Sequence, residues 1–135
     1  MTSVAEKNIA VVKKAYEALT NNLGMDVFLS HFAPDAEIHE APSLPYGGVY
    51  KGMEMLPTGM AAIFTAFEDF RFNILNFLTG DDLVVVHLML TGRGKKTGKT
   101  FSMPLMEMWR IRDGKVIEVR PFYFDTARVI ECFGG

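Results

Sequence analysis

The order of two kinds of apolar pattern along the chain constrains its fold more than any other feature. Within the first 67 residues, apolar side chains recur at steps of three and four in three segments, as in helices that pack on one side. From residue 68 onward the pattern predicts four long strands, at about 70–78, 83–92, 100–112 and 115–124. Helices followed by an antiparallel meander predict an α+β domain with helices on one face of a curved sheet.

The first two helices have recognisable ends. Ser3 followed by Glu6 has the spacing of a capping box, and the helix that they begin is predicted to end near Asn21. A short second helix carries Phe32 inward and is predicted to stop before Pro34, because the residue ahead of a proline disfavours helical geometry.

The third helix is predicted to carry Met60 and Phe64 inward. It tolerates Pro57 only if that residue lies in the first turn. The segment 41–52 before it, rich in glycine and proline, is predicted to be an irregular loop. A final short helix is predicted to begin at Asp125, whose carboxylate can cap it.

Composition narrows the class of protein. A chain of 135 residues is predicted to form a single domain, residues 1–135, large enough for a core and a cavity. With 49% apolar residues and a formal net charge of −2, it resembles neither a disordered chain nor a nucleic-acid binder. No apolar run approaches the length of a membrane span, and the N-terminus lacks the apolar core of a signal peptide. With Cys132 as the single cysteine, we expect a cytoplasmic protein.

A glutamate interrupts the apolar face of the third strand. At every second position from Phe101 to Ile111 the side chains are large and apolar, except for Glu107. Because alternate residues of a strand point to the same face, a register that buries Trp109 must bury Glu107 as well. A buried carboxylate becomes neutral or finds a partner, so we expect the pKa of Glu107 to be raised.

The hairpin at Asp113-Gly114 decides which residue faces Glu107. A two-residue loop would place Glu107 opposite Arg120, as half of an ion pair. A three-residue loop with Gly114 left-handed would place Glu107 opposite Val119 and keep one apolar face across both strands, through Ile117, Val119, Pro121 and Tyr123. Because a consistent buried face outweighs one ion pair, we favour the three-residue loop.

A second carboxylate shares this environment. The strand predicted at 36–40 alternates, and Glu40 follows Ala36 and Ile38 onto its apolar face. Two carboxyl groups that converge on one apolar cavity are typical of an acid-base site, in which one group takes a proton while the other is kept protonated.

The element order resembles that of the nuclear transport factor two-like superfamily, which includes ketosteroid isomerases and SnoaL-like polyketide cyclases. The phrases FAPDAEIHEAP, MEMWRIRDGKV and VRPFYFDTA carry the resemblance over essentially the whole chain. It implies a cone-shaped curved antiparallel sheet with three N-terminal helices packed on its concave face.

The resemblance also implies roles for particular residues. Glu40 falls where ketosteroid isomerases keep the base, and Glu107 falls where they keep a protonated acid that holds the enolate oxygen. Tyr16 lies one position after the place of the family's oxyanion tyrosine and is a candidate through the helix pattern. The catalytic aspartate of SnoaL-like cyclases would fall at Pro121.

The expected ligand is a small apolar molecule with one carbonyl or hydroxyl. The expected reaction is proton transfer next to a carbonyl, as in isomerisation or cyclisation, without a metal or cofactor. The same pocket also suits a non-catalytic binder, and a third possibility is a dimeric interaction module with a filled cavity. The candidate ligand-binding residues are Trp109, Met103, Leu105, Val119, Tyr123, Tyr46, Met60 and Phe64.

The other face of the last two strands predicts self-association. Pro104, Met106, Met108, Phe122 and Phe124 form an apolar patch there that no remaining element can cover. We therefore expect a two-fold homodimer packed sheet against sheet, as the resemblance also implies.

Overall fold

The computed structural model describes residues 3–134. Helices lie before, between and after the strands in this part of the chain. The helices are α1 (Val4–Thr20), α2 (Met25–Leu29), α3 (Gly52–Ala66) and α4 (Thr126–Phe133). The strands are β1 (Phe32–Glu40), β2 (Gly48–Lys51), β3 (Phe67–Gly80), β4 (Leu83–Gly94), β5 (Thr100–Arg112) and β6 (Lys115–Tyr123).

The strands form one open, curved sheet in the order β2-β1-β6-β5-β4-β3. This arrangement confirms the predicted α+β cone with helices packed against the sheet. The sheet is mixed and not purely antiparallel, because β1 runs parallel to β6 while the other neighbours are antiparallel.

The first helix begins and ends as its sequence predicts. The Ser3 hydroxyl oxygen accepts a hydrogen bond from the Glu6 backbone N–H at 3.1 Å, and α1 ends at Thr20 with Asn21 as its cap. The second helix is shorter than predicted. It ends at Leu29, and Phe32 is the first residue of β1, paired with Val116 of β6. Pro34 fits into this strand because the ladder between Phe32 and Glu37 is irregular there.

The segment around the third helix differs from the prediction in two ways. Residues 48–51, predicted as part of an irregular loop, form the edge strand β2, in which Gly48 pairs with Glu40. The helix begins at Gly52, so Pro57 lies beyond the first turn and inside the helix. Proline removes one backbone hydrogen bond there, at an exposed position of the second turn.

The favoured three-residue loop of the β5–β6 hairpin is wrong, and the alternative two-residue turn is present but its register does not continue to Glu107. Arg112 pairs with Lys115 across a two-residue turn, in which Asp113 and Gly114 both have positive φ, 50° and 76°. A bulge then inserts Ile117, so that the register shifts and Glu107 lies opposite Pro121, not Arg120 or Val119.

The bulge preserves one apolar face across both strands. Val116 and Val119 are buried, whereas Ile117, predicted on this face, is only partly buried. The alternation along β5 is as predicted: Phe101, Met103, Leu105, Glu107, Trp109 and Ile111 are all buried. The concave side of the sheet therefore combines apolar side chains with Glu107 under helices α1 and α3. None of the helices within residues 3–134 is long and apolar enough to cross a membrane.

Candidate functional site

A cavity lies between the concave face of the sheet and the helices. It measures about 50 Å³, counted as the space open to the centre of a water-sized sphere, which is enough for a few water molecules. Most of its wall is apolar, and its two ionisable acids are Glu40 and Glu107. The lining residues are Tyr16, Leu19, Phe28, Ile38, Glu40, Met60, Ile63, Phe64, Phe70, Phe72, Leu90, Leu105, Glu107, Trp109, Val119, Pro121 and Tyr123.

Glu107 lies at the centre of the first hydrogen-bonded group. Its Oε1 accepts from the Tyr16 hydroxyl of α1 and, at 3.4 Å, from the indole Nε1–H of Trp109. The same indole N–H also lies 3.2 Å from the Tyr16 hydroxyl oxygen, so the three side chains form a closed triangle. Glu107 therefore has two neutral donors as partners, where the sequence offered no basic one.

Glu40 lies at the end of a second hydrogen-bonded group. The Tyr123 hydroxyl of β6 donates to its Oε1 at 3.1 Å, and the Tyr46 hydroxyl lies 3.1 Å from the Tyr123 hydroxyl. Glu40 is buried, with 6% of its surface exposed. Glu40 and Glu107 thus approach the cavity from different strands, each held by a tyrosine.

Each carboxyl group keeps one oxygen without a protein partner. Within residues 3–134, the hydrogen bonds of Glu40 and Glu107 all use Oε1, and Oε2 makes none. Every completely buried side-chain nitrogen or oxygen in that part of the chain has a partner. Neither Oε2 atom is therefore completely buried, and each keeps its hydrogen-bonding capacity unused by the protein.

The two acids differ in proton affinity. Burial raises the pKa of Glu40 to about 8, the charge of Glu107 contributes to the rise, and the Tyr123 hydroxyl opposes it. Burial also raises the pKa of Glu107, as predicted, but the hydrogen bonds from Tyr16 and Trp109 oppose that rise. Two neutral donors favour a charged Glu107 and one favours a charged Glu40, so we expect Glu107 to ionise first and its charge to help hold the proton on Glu40. The resemblance implies the opposite order.

Most of the candidate residues from the sequence line the cavity together: Tyr16, Glu40, Met60, Phe64, Leu105, Glu107, Trp109, Val119 and Tyr123. Met103 and Tyr46 are buried but are not among the lining residues. Phe70 and Phe72 of β3 also line the cavity but were not among the candidates. They alternate along the strand, but the face on which they lie could not be predicted, because β3 is irregular between Glu68 and Arg71.

The mouth of the cavity lies where α1 and α3 end above β3. Leu19, Phe64, Phe70 and Phe72 line the cavity and also a surface groove that continues to Asp69 and Asn73. Three of these four side chains are phenylalanines. The side chains shared by the cavity and this groove are therefore mainly aromatic.

A separate groove reaches Glu40 from the outer side of the sheet. Glu40, Pro121 and Tyr123 line both the cavity and this groove, where His39 and Arg120 contribute polar groups. No group of three or more His, Cys, Asp or Glu side chains in residues 3–134 is placed to hold a metal ion.

The cone-shaped sheet and its buried acidic cavity define a class of small α+β pocket domain. Residues 12–119 match the SnoaL-like domain family, and the chain belongs to that family. Comparison with curated proteins gives no match.

Solved structures show the same fold at low sequence identity. An NTF2-like protein of unknown function from Burkholderia pseudomallei is 21% identical, with 96% of this chain and 98% of that chain covered and a TM-score of 0.85. A putative SnoaL-like polyketide cyclase from Jannaschia sp. CCS1 is 19% identical, with coverage of 100% and 97% and a TM-score of 0.84. A protein with a ketosteroid isomerase-like fold from Catenulispora acidiphila, in complex with trimethylamine, is 18% identical, with coverage of 92% for both chains and a TM-score of 0.75. These structures confirm the fold that the sequence resemblance implied.

The raised pKa of Glu40 predicts a pH-dependent stability. Glutamate has a pKa near 4.3 in the unfolded chain, whereas Glu40 has a pKa of about 8 in the folded protein. The folded protein therefore binds this proton more tightly, and the stability that results is lost as the pH rises from about 4.3 to about 8. At about 1.4 kcal/mol per pH unit, the stability of the wild type relative to Glu40→Gln should fall by several kcal/mol between pH 5 and pH 9. Urea unfolding at a series of pH values measures this difference.

The matched control is Glu37→Gln, on the same strand but on the opposite face and partly exposed. Its surface pairs with His39 and Lys51 should contribute less than about 1 kcal/mol at any pH. A pH-independent difference between the wild type and Glu40→Gln would show that Glu40 titrates normally.

Proposed function

We propose that the protein is an enzyme of acid-base proton transfer next to a carbonyl, an isomerase or cyclase acting on a small and mostly apolar substrate. One observation carries this proposal: two buried carboxyl groups line one apolar cavity, and the Oε2 of each makes no hydrogen bond within residues 3–134. The single cysteine, Cys132, fits a reducing compartment, and we propose a cytoplasmic location for the activity.

The roles of the two acids follow from their order of ionisation. Glu107, as carboxylate, takes a proton from the carbon next to the substrate carbonyl. Glu40, still protonated, donates a hydrogen bond to the oxygen on which the negative charge develops. Glu107 then returns the proton to a second carbon, so that the double bond moves and no proton is lost. This assignment exchanges the roles that the family resemblance implies.

Tyr16 has an indirect role in this scheme. Its hydroxyl donates to Glu107, so it is not directed at a substrate oxygen. Together with Trp109 it lowers the cost of a charged Glu107 in an apolar wall. The tyrosine therefore makes the base available, whereas the sequence pattern suggested a donor to the enolate.

The substrate class follows from the wall of the cavity. Aromatic and aliphatic side chains surround the two carboxyl groups, and none of the basic side chains in residues 3–134 lines the cavity. Such a site favours an uncharged molecule whose one polar group is a carbonyl or hydroxyl. A substrate carboxylate would meet the charge of Glu107 without a compensating cation.

A second candidate function is binding without catalysis. The observation that favours it is the triangle of Tyr16, Glu107 and Trp109, which satisfies both donors and could serve only to shape the cavity wall. A binder needs the apolar cavity but not the difference in proton affinity between the two acids. Activity measurements separate the two functions.

The catalytic proposal predicts loss of turnover in Glu40→Gln and in Glu107→Gln, by roughly 10²- to 10⁴-fold in kcat, with little change in ligand affinity. A panel of cyclic enones and keto compounds, followed by absorbance and by proton NMR, provides the assay. Glu37→Gln, on the outer side of β1, is the matched control and should keep wild-type turnover. Binding of the panel by a wild type that turns over none of it would favour the non-catalytic function.

The pH profile tests the assignment of roles. If Glu40 must be protonated, kcat falls above about pH 8, where Glu40 ionises. If Glu40 were the base, kcat would instead rise through the same pH. A rise would restore the roles implied by the resemblance.

We also propose the homodimer expected from the sequence. On the outer face of the sheet, Met106 and Phe122 are cross-strand neighbours with 41% and 56% of their surface exposed, and Phe124 extends this patch. Ion pairs of Arg110 and Arg120 with Glu118 border it, as in the polar rim of an interface. Such a patch is self-complementary across a two-fold axis.

Light scattering tests the dimer. The wild type should have about twice the chain mass of 15.1 kDa at micromolar concentration, and Met106→Lys should shift the mass toward the monomer. Met55→Lys is the matched control, because Met55 of α3 is equally exposed, at 44%, but lies outside the sheet. A wild type with the mass of one chain would contradict the proposal.

A further inference from the structure

Tyr46 lies behind the cavity wall and not at its mouth. It belongs to the segment between β1 and β2, and its ring packs against Phe67 and Phe133 with centroid distances of 6.3 and 6.2 Å. Only 3% of its surface is exposed. The Tyr46 hydroxyl is nevertheless connected to the site. It forms a hydrogen bond with the Tyr123 hydroxyl, which in turn donates to Glu40.

Three oxygen atoms form a row: the hydroxyls of Tyr46 and Tyr123, and Oε1 of Glu40, at successive distances of 3.1 Å. Each phenol carries one proton, so the row can run in only two directions. Either Tyr46 donates to Tyr123 and Tyr123 donates to Glu40, or Glu40 donates to Tyr123 and Tyr123 donates to Tyr46.

The burial of Tyr46 selects one of these directions. Within residues 3–134, its hydroxyl has Tyr123 as its one hydrogen-bond partner. In the second direction the Tyr46 proton would have no protein acceptor, and a buried donor without an acceptor is unfavourable. In the first direction both phenol protons have acceptors, and the proton of Glu40, when present, lies on Oε2, which is not completely buried.

We propose that Tyr46 is a positioning residue, whose hydroxyl orients that of Tyr123 toward Glu40 Oε1 and thereby confines the transferable proton of Glu40 to Oε2. Oε1 then accepts a hydrogen bond in both protonation states of Glu40. The proton resides on the one carboxyl oxygen that has no protein partner.

The neighbouring charges keep both phenols protonated. Burial and the charge of Glu40 raise the pKa of both phenols above the ordinary value, so both remain donors over the working pH range. Glu107 is the other ionisable side chain that acts on Glu40 across the cavity. His39 and Arg120 share only the outer groove with it.

The role in catalysis rests on the proposed function of Glu40 as the proton-bearing acid. The orientation of the proton itself does not, because it can be measured without turnover. If Tyr46 orients the row, its hydroxyl strengthens the hydrogen bond from Tyr123 to the Glu40 carboxylate, since successive hydrogen bonds polarise one another. Removal of that hydroxyl should then raise the pKa of Glu40.

Carboxyl ¹³C NMR titration of Glu40 in four proteins tests the inference. Tyr46→Phe should raise its midpoint by several tenths of a pH unit, and Tyr123→Phe should raise it by about one unit or more. In the Tyr123→Phe background, adding Tyr46→Phe should cause no further shift, because the connecting hydroxyl is absent.

Tyr50→Phe is the matched control. The Tyr50 hydroxyl donates to the backbone carbonyl of Tyr46 at 2.8 Å, so it supports the same segment without joining the row of oxygens. Its loss should leave the Glu40 midpoint in place. An equal shift in Tyr50→Phe, or a shift from Tyr46→Phe that persists without the Tyr123 hydroxyl, would overturn the inference, because either means that Tyr46 acts through packing.

The wild type provides a second measurement if Tyr46→Phe does not fold. With tyrosine labelled at the ring carbon that bears the hydroxyl, the signals of Tyr46 and Tyr123 should both move with the Glu40 midpoint, near pH 8, while that of Tyr50 stays in place. A Tyr46 signal that does not respond would show that the two groups are uncoupled. If the coupling holds and no substrate is turned over, the orientation stands and only the proposed function fails.

Discussion

Two carboxyl groups in one apolar cavity cannot both become charged without a large cost in free energy, and the chemistry of the site depends on which of them keeps its proton. Neutral donors stabilise a charged Glu107, because Tyr16 and Trp109 both donate hydrogen bonds to its Oε1. The second charge would appear beside the first in a medium of low polarity, so Glu40 keeps its proton to about pH 8. Two identical side chains thus acquire different surroundings, because their hydrogen-bond donors differ, and the proposed roles of base and acid rest on that difference.

The fold makes this arrangement possible mainly through the bulge in β6. A two-residue turn without a bulge would place Glu118 and Arg120 on the concave face, and Arg120 opposite Glu107. An adjacent guanidinium would stabilise the Glu107 carboxylate and offset its charge, so that this charge would act less on Glu40. The inserted Ile117 returns Val119, Pro121 and Tyr123 to the cavity side, while Arg120 pairs with Glu118.

Local patterns in the sequence were enough for the fold and for much of the site. Alternation along β5 requires that Glu107 be buried with Trp109, and the helical period places Tyr16 on the inward side of α1. The bulge escaped prediction because Val116 and Ile117 are both apolar, so the pattern could not show which one is inserted. The role of Tyr46 and the order of ionisation depend on contacts between residues far apart in sequence, which no local pattern contains.

The individual proton affinities of the two acids test this account most directly. Carboxyl ¹³C NMR titration of the wild type, with each signal assigned by its loss in Glu40→Gln or Glu107→Gln, measures both. We expect both midpoints above the ordinary glutamate value near 4.3, with Glu107 ionising first and Glu40 last, at about pH 8. Two midpoints near 4.3, or a Glu40 that ionises before Glu107, would contradict the account.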